Sequence, residues 1–62
     1  MMKAYKVEQE RLSFDWGRFE GWDLVGYYFK KEKAEAIAKE RYENRCKVVQ
    51  GKVKITEIEI ED

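Results

Sequence analysis

The residues able to do chemistry in this chain are carboxylates, lysines, one thiol and a set of aromatics. Histidine is absent, which excludes histidine triads, histidine acid–base catalysis and histidine-ligated metals. A single cysteine, Cys46, excludes an intrachain disulfide and a cysteine-only zinc site. Cys46 lies between the cations Arg45 and Lys47, but nucleophilic catalysis would lack a histidine base. A small packed residue at a strand entrance is the simpler reading. Asp15, Glu20 and Asp23 are neighbours in sequence, yet no spacing marks them as a converging acid–base pair. Glu57, Glu59, Glu61 and Asp62 form an acidic stripe. It suits a hard cation or, more simply, a solvated edge that resists sheet-to-sheet aggregation. We therefore expect no enzyme activity, no cofactor and no metal site.

Three other constellations suit binding. The first is Lys30, Lys31 and Lys33, which crowd the start of the only clear helix. Helix N-termini favour anions, so these lysines suit a phosphate or an acidic partner group. They also suit a solvated face, with Glu32 and Glu35 as local compensation. The second is the group Phe14, Trp16, Phe19 and Trp22, with Arg18 among them. Its composition matches interface hot spots, stacking platforms for single-stranded bases, and a mini-core folded onto the sheet. The third is the strand Trp22–Phe29, which is apolar on both faces. Val25, Tyr27 and Phe29 fall on the side expected to face away from the helix, and they need a cover. The aromatic loop, a second subunit or another protein would each supply one.

The elements that must position these groups follow from periodicity. Residues 3–9 alternate and read as a strand. Residues 10–21, with two glycines and three aromatics, read as a connecting loop. Residues 22–29 are rich in β-formers and read as a second strand. Ala34, Ile37, Ala38, Arg41, Tyr42 and Arg45 recur at helical spacing, so residues 31–45 read as a helix with one inward face. Glu35 and Lys39 stand in the favourable i,i+4 order. Residues 46–61 read as a third strand. Val53 and Ile55 share one parity and Ile58 and Ile60 the other, so a bulge near residues 56–57 would turn all four inward. Lys6, Glu8, Glu57 and Glu59 are expected on the opposite, wet side. A right-handed crossover by the helix sets strand 3 beside strand 1. The expected fold is α+β: a two-layer ββαβ domain, its three-stranded antiparallel sheet in the order 2-1-3, with one helix on one face.

The stretches Val25-Gly26-Tyr27-Tyr28, Lys31-Glu32-Lys33-Ala34-Glu35-Ala36 and Ile58-Glu59-Ile60 resemble those of small, mostly uncharacterised ββαβ domains of bacteria, archaea and phages. The resemblance covers residues 22–60. It implies the fold and no activity. Such domains often show Ser or Thr where this chain has Lys30, the expected N-cap.

Composition bounds the rest. The 62 residues include thirteen basic and thirteen acidic side chains, for a net charge of zero. That argues against a generic polyanion binder and equally against an acidic nucleic-acid mimic. No apolar run exceeds three residues, as in Tyr27-Tyr28-Phe29, and the N-terminus shows no signal-peptide pattern, so a reducing cytoplasm is expected. A compact monomer of this mass would expose roughly 4,200 Å² of the roughly 10,900 Å² of its unfolded chain, which about balances the cost of ordering the chain, so a homodimer or a bound partner is expected to complete it. The leading expectation is a non-enzymatic protein-interaction module, such as a small regulatory factor or a viral inhibitor in its host's cytoplasm. Its partner-binding residues would be Phe14, Trp16, Arg18, Phe19, Val25, Tyr27 and Phe29. The alternative is a nucleic-acid-binding domain that uses Lys30, Lys31 and Lys33 with the loop aromatics.

Ten Glu and nine Lys against two Gln and one Asn is the bias reported for hyperthermophile proteins. If it reflects a hot habitat, the melting temperature should exceed ~80 °C, against ~45–65 °C for mesophile domains. A reversible calorimetric melt near 50 °C would remove that reading.

Overall fold

The computed structural model describes residues 2–60. Its elements are β1 (Met2–Leu12), β2 (Phe19–Tyr28), α1 (Lys31–Glu43) and β3 (Gln50–Ile60). β1 is central and antiparallel to both neighbours, giving the order β2-β1-β3. The α+β ββαβ arrangement is the one expected from the sequence, with α1 packed on one face of the sheet.

The first two strands are longer than their periodicity predicts, and the loop between them is shorter. β1 runs on through Leu12 and β2 begins at Phe19, so the loop expected over 10–21 contracts to residues 13–18. Side chains hold the extra pairs together. Arg11 Nη1 lies 3.2 Å from Asp23 Oδ1, and the Phe19 and Trp22 rings meet edge-on at 5.6 Å. Gly21 allows the early entry into β2, since its φ of 147° is one that side chains disfavour. Residues 46–49, expected as strand, form a turn instead. The Cys46 carbonyl accepts the Val49 and Gln50 amides, while Gln50 Oε1 accepts the Cys46 amide at 2.8 Å. Residue 61 of the expected third strand, with the Glu61 and Asp62 of the acidic stripe, lies outside the described residues.

The helix ends at Glu43, two residues early, because side chains take over its last carbonyls. Asn44 Nδ2 donates to the Glu40 carbonyl at 3.0 Å, and Arg45 Nη1 donates to that of Tyr42 at 2.7 Å. Gln9 Nε2 reaches from β1 to the Arg41 carbonyl at 3.2 Å. Gln9 is almost fully buried, so this bond ties the end of the helix to the central strand. At the other end, Lys30 is the N-cap, as expected, and caps with no side-chain hydrogen bond. The i,i+4 ion pair that forms on the helix is Lys39–Glu43 at 3.8 Å.

The bulge expected near residues 56–57 does not form: β3 pairs with β1 without a break from Val53 to Ile60. Val53 and Ile55 therefore face the helix with Val7 and Gln9, while Ile58 and Ile60 share the open face with Ala4 and Met2. The irregularities lie elsewhere. In β3, Gly51 and Lys52 together oppose Glu10. Glu10 Oε1 accepts the Lys52 amide at 2.8 Å, and a Cβ on Gly51 would lie 2.7 Å from that same oxygen. In β2, Glu20 and Val25 are extra residues.

The Val25 bulge reverses the parity of β2. Trp22 opposes Glu10, Leu24 opposes Glu8, and Tyr27 opposes Lys6. All three thus lie on the open face, while Gly26 and Tyr28 face the helix side. Val25, expected on the outer face, turns to the helix side and lines a groove with Tyr28 and Ile37. The acidic pair is corrected in the same way. Glu57 opposes Tyr5 and Glu59 opposes Lys3, on the helix side and not beside Lys6 and Glu8. Glu57 pairs there with Lys3 at 3.2 Å, and hydrogen bonding and attraction from its carboxylate raise the Lys3 pKa above its ordinary value.

One helix of thirteen residues is about 20 Å long. Strands of eleven residues reach about 36 Å. The core is correspondingly small: among the described residues its fully buried apolar members are Ala4, Val7 and Ala34. The chain exposes 4958 Å², about 700 Å² more than a compact monomer of its mass. Its radius of gyration is 12.9 Å, against about 10.6 Å for a compact chain.

Two stability changes follow. Lys30→Ser adds a capping hydroxyl and removes a cation from the positive end of the dipole. It should stabilise by ~0.5–1.5 kcal/mol in urea melts; no change would mean the helix begins elsewhere. Gly51→Ala should cost about 1 kcal/mol by pushing the Glu10 carboxylate off the Lys52 amide. In a Glu10→Ala background the same change should cost far less, because both act on one contact. Additive costs would show that this contact does not hold the bulge.

Candidate functional site

Two surfaces carry most of the aromatic residues singled out in the sequence. The first is the tip of the β1–β2 hairpin. Ser13 organises it: the Ser13 carbonyl accepts the Gly17 amide at 2.9 Å, and the Ser13 amide donates to the Arg18 carbonyl at 2.7 Å. Ser13 Oγ accepts the Arg18 amide at 3.2 Å and the Trp16 amide at 3.4 Å. Gly17, at φ 63°, makes the left-handed step that closes the loop. Phe14 and Trp16 project from this frame 76% and 79% exposed. They do not fold back on the sheet, so the mini-core reading fails for them. Phe19, at the base of the tip, is half exposed and leans on Trp22.

The second surface is the open face of the sheet. Leu24 is 54% exposed and Tyr27 55% exposed, and Met2 and Ile60 are exposed at the far end. Ala4, on the central strand, is buried between its neighbours. The polar groups of this face compensate one another. The Glu8 carboxylate lies 3.6 Å from Lys6 Nζ and 3.8 Å from Lys54 Nζ, with only 15% of its side chain exposed. Lys54 also stands over the Trp22 ring, 4.2 Å from its centroid. The aromatic loop does not cover this face. Trp22 and Leu24 share it with Tyr27 by virtue of the Val25 bulge, whose position leaves no periodic trace in the residues around it.

Lys30, Lys31 and Lys33 gather at the helix start as expected, all exposed. Lys30 and Lys33 border a cleft with Tyr27, Tyr28 and Phe29, and Phe29 is exposed. These lysines do not meet the loop aromatics. The ten residues of β2 separate the two groups by about 33 Å. The two halves of the expected nucleic-acid site thus sit at opposite ends of the molecule.

On the helix side, a groove of about 340 Å³ runs between α1 and β2, lined by Val25, Tyr28 and Ile37 with Glu40, Arg41 and Gln50. Cys46 is exposed on the turn before β3. Among the described residues, no cluster of three metal-ligating side chains occurs, and no helix is long and apolar enough to cross a membrane. Comparison with family models, curated proteins and solved structures found no match to this chain.

Proposed function

We propose that the chain is a non-enzymatic protein-interaction module that docks its hairpin tip into an apolar pocket of another protein. Phe14 and Trp16 are the anchors, with Arg18 and Phe19 as flanking contacts. The observation that carries this reading is the pairing of high exposure with a closed loop frame. Four hydrogen bonds to Ser13 hold the tip, so docking freezes little backbone. Large rings beside an arginine are the side chains that dominate interface energies. A binder needs only such a surface, which suits a small regulatory factor or a viral inhibitor. The exposed thiol of Cys46 suits a reducing cytoplasm, the host's if the source is viral.

The test compares the wild type with a Phe14→Ser/Trp16→Ser double variant as bait in extracts of the source cell. A specific protein partner should be retained by the wild type and bound at least ~30-fold more weakly by the variant. Circular dichroism should be unchanged, because both side chains lie outside the core. The emission of Trp16 should shift to the blue when the partner binds. A partner held equally by both baits would overturn the reading. So would binding of oligonucleotides alone that collapses with salt, which would favour nucleic acid.

A further inference from the structure

The hairpin tip leaves the open face of the sheet unexplained, and that face has its own requirements. It is a strip about 36 Å long and three strands, or about 14 Å, wide. Leu24, Tyr27, Ile58 and Ile60 run along it, and the helix covers the opposite side. The chain exposes about 700 Å² beyond compact proportions, and a standard interface removes about 800 Å² from each partner. One interface of ordinary size would therefore bring this chain to the surface area of a compact protein. The charges on the strip narrow the choice of occupant. A face of one sign would repel its own copy, whereas this face carries two charges of each sign, Lys6 and Lys54 drawn around Glu8 and, further along β1, Glu10. Across a two-fold axis the same patch meets itself, so each lysine has ammonium protons left to offer a carboxylate of the facing copy.

We propose that the occupant is a second copy of this chain. The two open faces pack against each other about a two-fold axis in a helix–sheet–sheet–helix dimer, with Leu24, Tyr27 and Ile58 at its centre. Facing sheets would lie about 10 Å apart with their strands roughly aligned. The inference goes beyond the proposed function and does not rest on it, since the anchors Phe14 and Trp16 lie in the loop beyond the strip.

Light scattering coupled to size-exclusion chromatography decides the question. The wild type should elute with the mass of a dimer at about 100 µM, and its melting temperature should rise with concentration. Leu24→Arg and Tyr27→Glu each place a charge in the centre of the interface and should weaken dimerisation at least ~30-fold. Both side chains are half exposed in the single chain, so the variants should fold, and one suffices if the other does not. Phe14→Ser/Trp16→Ser should remain dimeric, which separates this surface from the tip. A wild type that is monomeric at about 100 µM overturns the proposal whatever the variants do. Face variants that stay dimeric, loss of the dimer in the tip variant, or a mass gain only on adding oligonucleotide overturn it too.

Discussion

A mismatch of lengths governs this molecule: one short helix must serve a sheet nearly twice its length. The helix covers the middle of one face, and buried Val7, Gln9 and Ala34 mark where it does so. Beyond that patch the strands continue with little over them. The small core, the large exposed surface and the groove beside β2 all follow from this one disproportion. It also explains why polar contacts hold the helix in place. With so little apolar area available, the Gln9 amide on the Arg41 carbonyl fixes where the helix ends relative to the central strand.

The order of elements was legible because it rests on local periodicity. The Ala34-Ile37-Ala38 spacing marks the inner face of α1, and Lys30 marks its start. The sheet order follows once a helix links two strands with a third free to enter between them. The faces of the strands were not legible. The Val25 bulge moves Tyr27 onto the same side as Leu24, against their alternation in sequence. The β3 bulge depends on a carboxylate that meets the Lys52 amide from 42 positions away. Contacts of that kind leave no periodic trace. The straight run of β3 through Thr56 and Glu57 has the same lesson. Keeping four aliphatic residues inward presumes a cover as long as the strand, and the helix is too short to be one.

The site was legible in its residues and not in its geometry. Phe14, Trp16, Arg18 and Phe19 stand together at one end, as their proximity in sequence requires. The lysines of the helix start lie at the other end, a separation that depends on β2 being a full ten residues long. Ser13 is a lone small polar residue in the sequence, yet its hydroxyl and backbone groups frame the tip. A serine just before a loop that closes on glycine is the signal that would have found it.

The irregularities of β2 carry a further consequence, for polymerisation. Growth of a sheet strand by strand needs two receptive margins on every molecule, one to give and one to take. The extra residues at Glu20 and Val25 break the repeat of the β2 margin twice within ten residues. The β3 margin is continuous from Val53 to Ile60, with Lys54, Glu57 and Glu59 spaced along it. With one receptive margin instead of two, strand addition stops after a single pairing. For an aromatic-rich chain, that asymmetry between the two margins disfavours the endless stacking that builds fibrils.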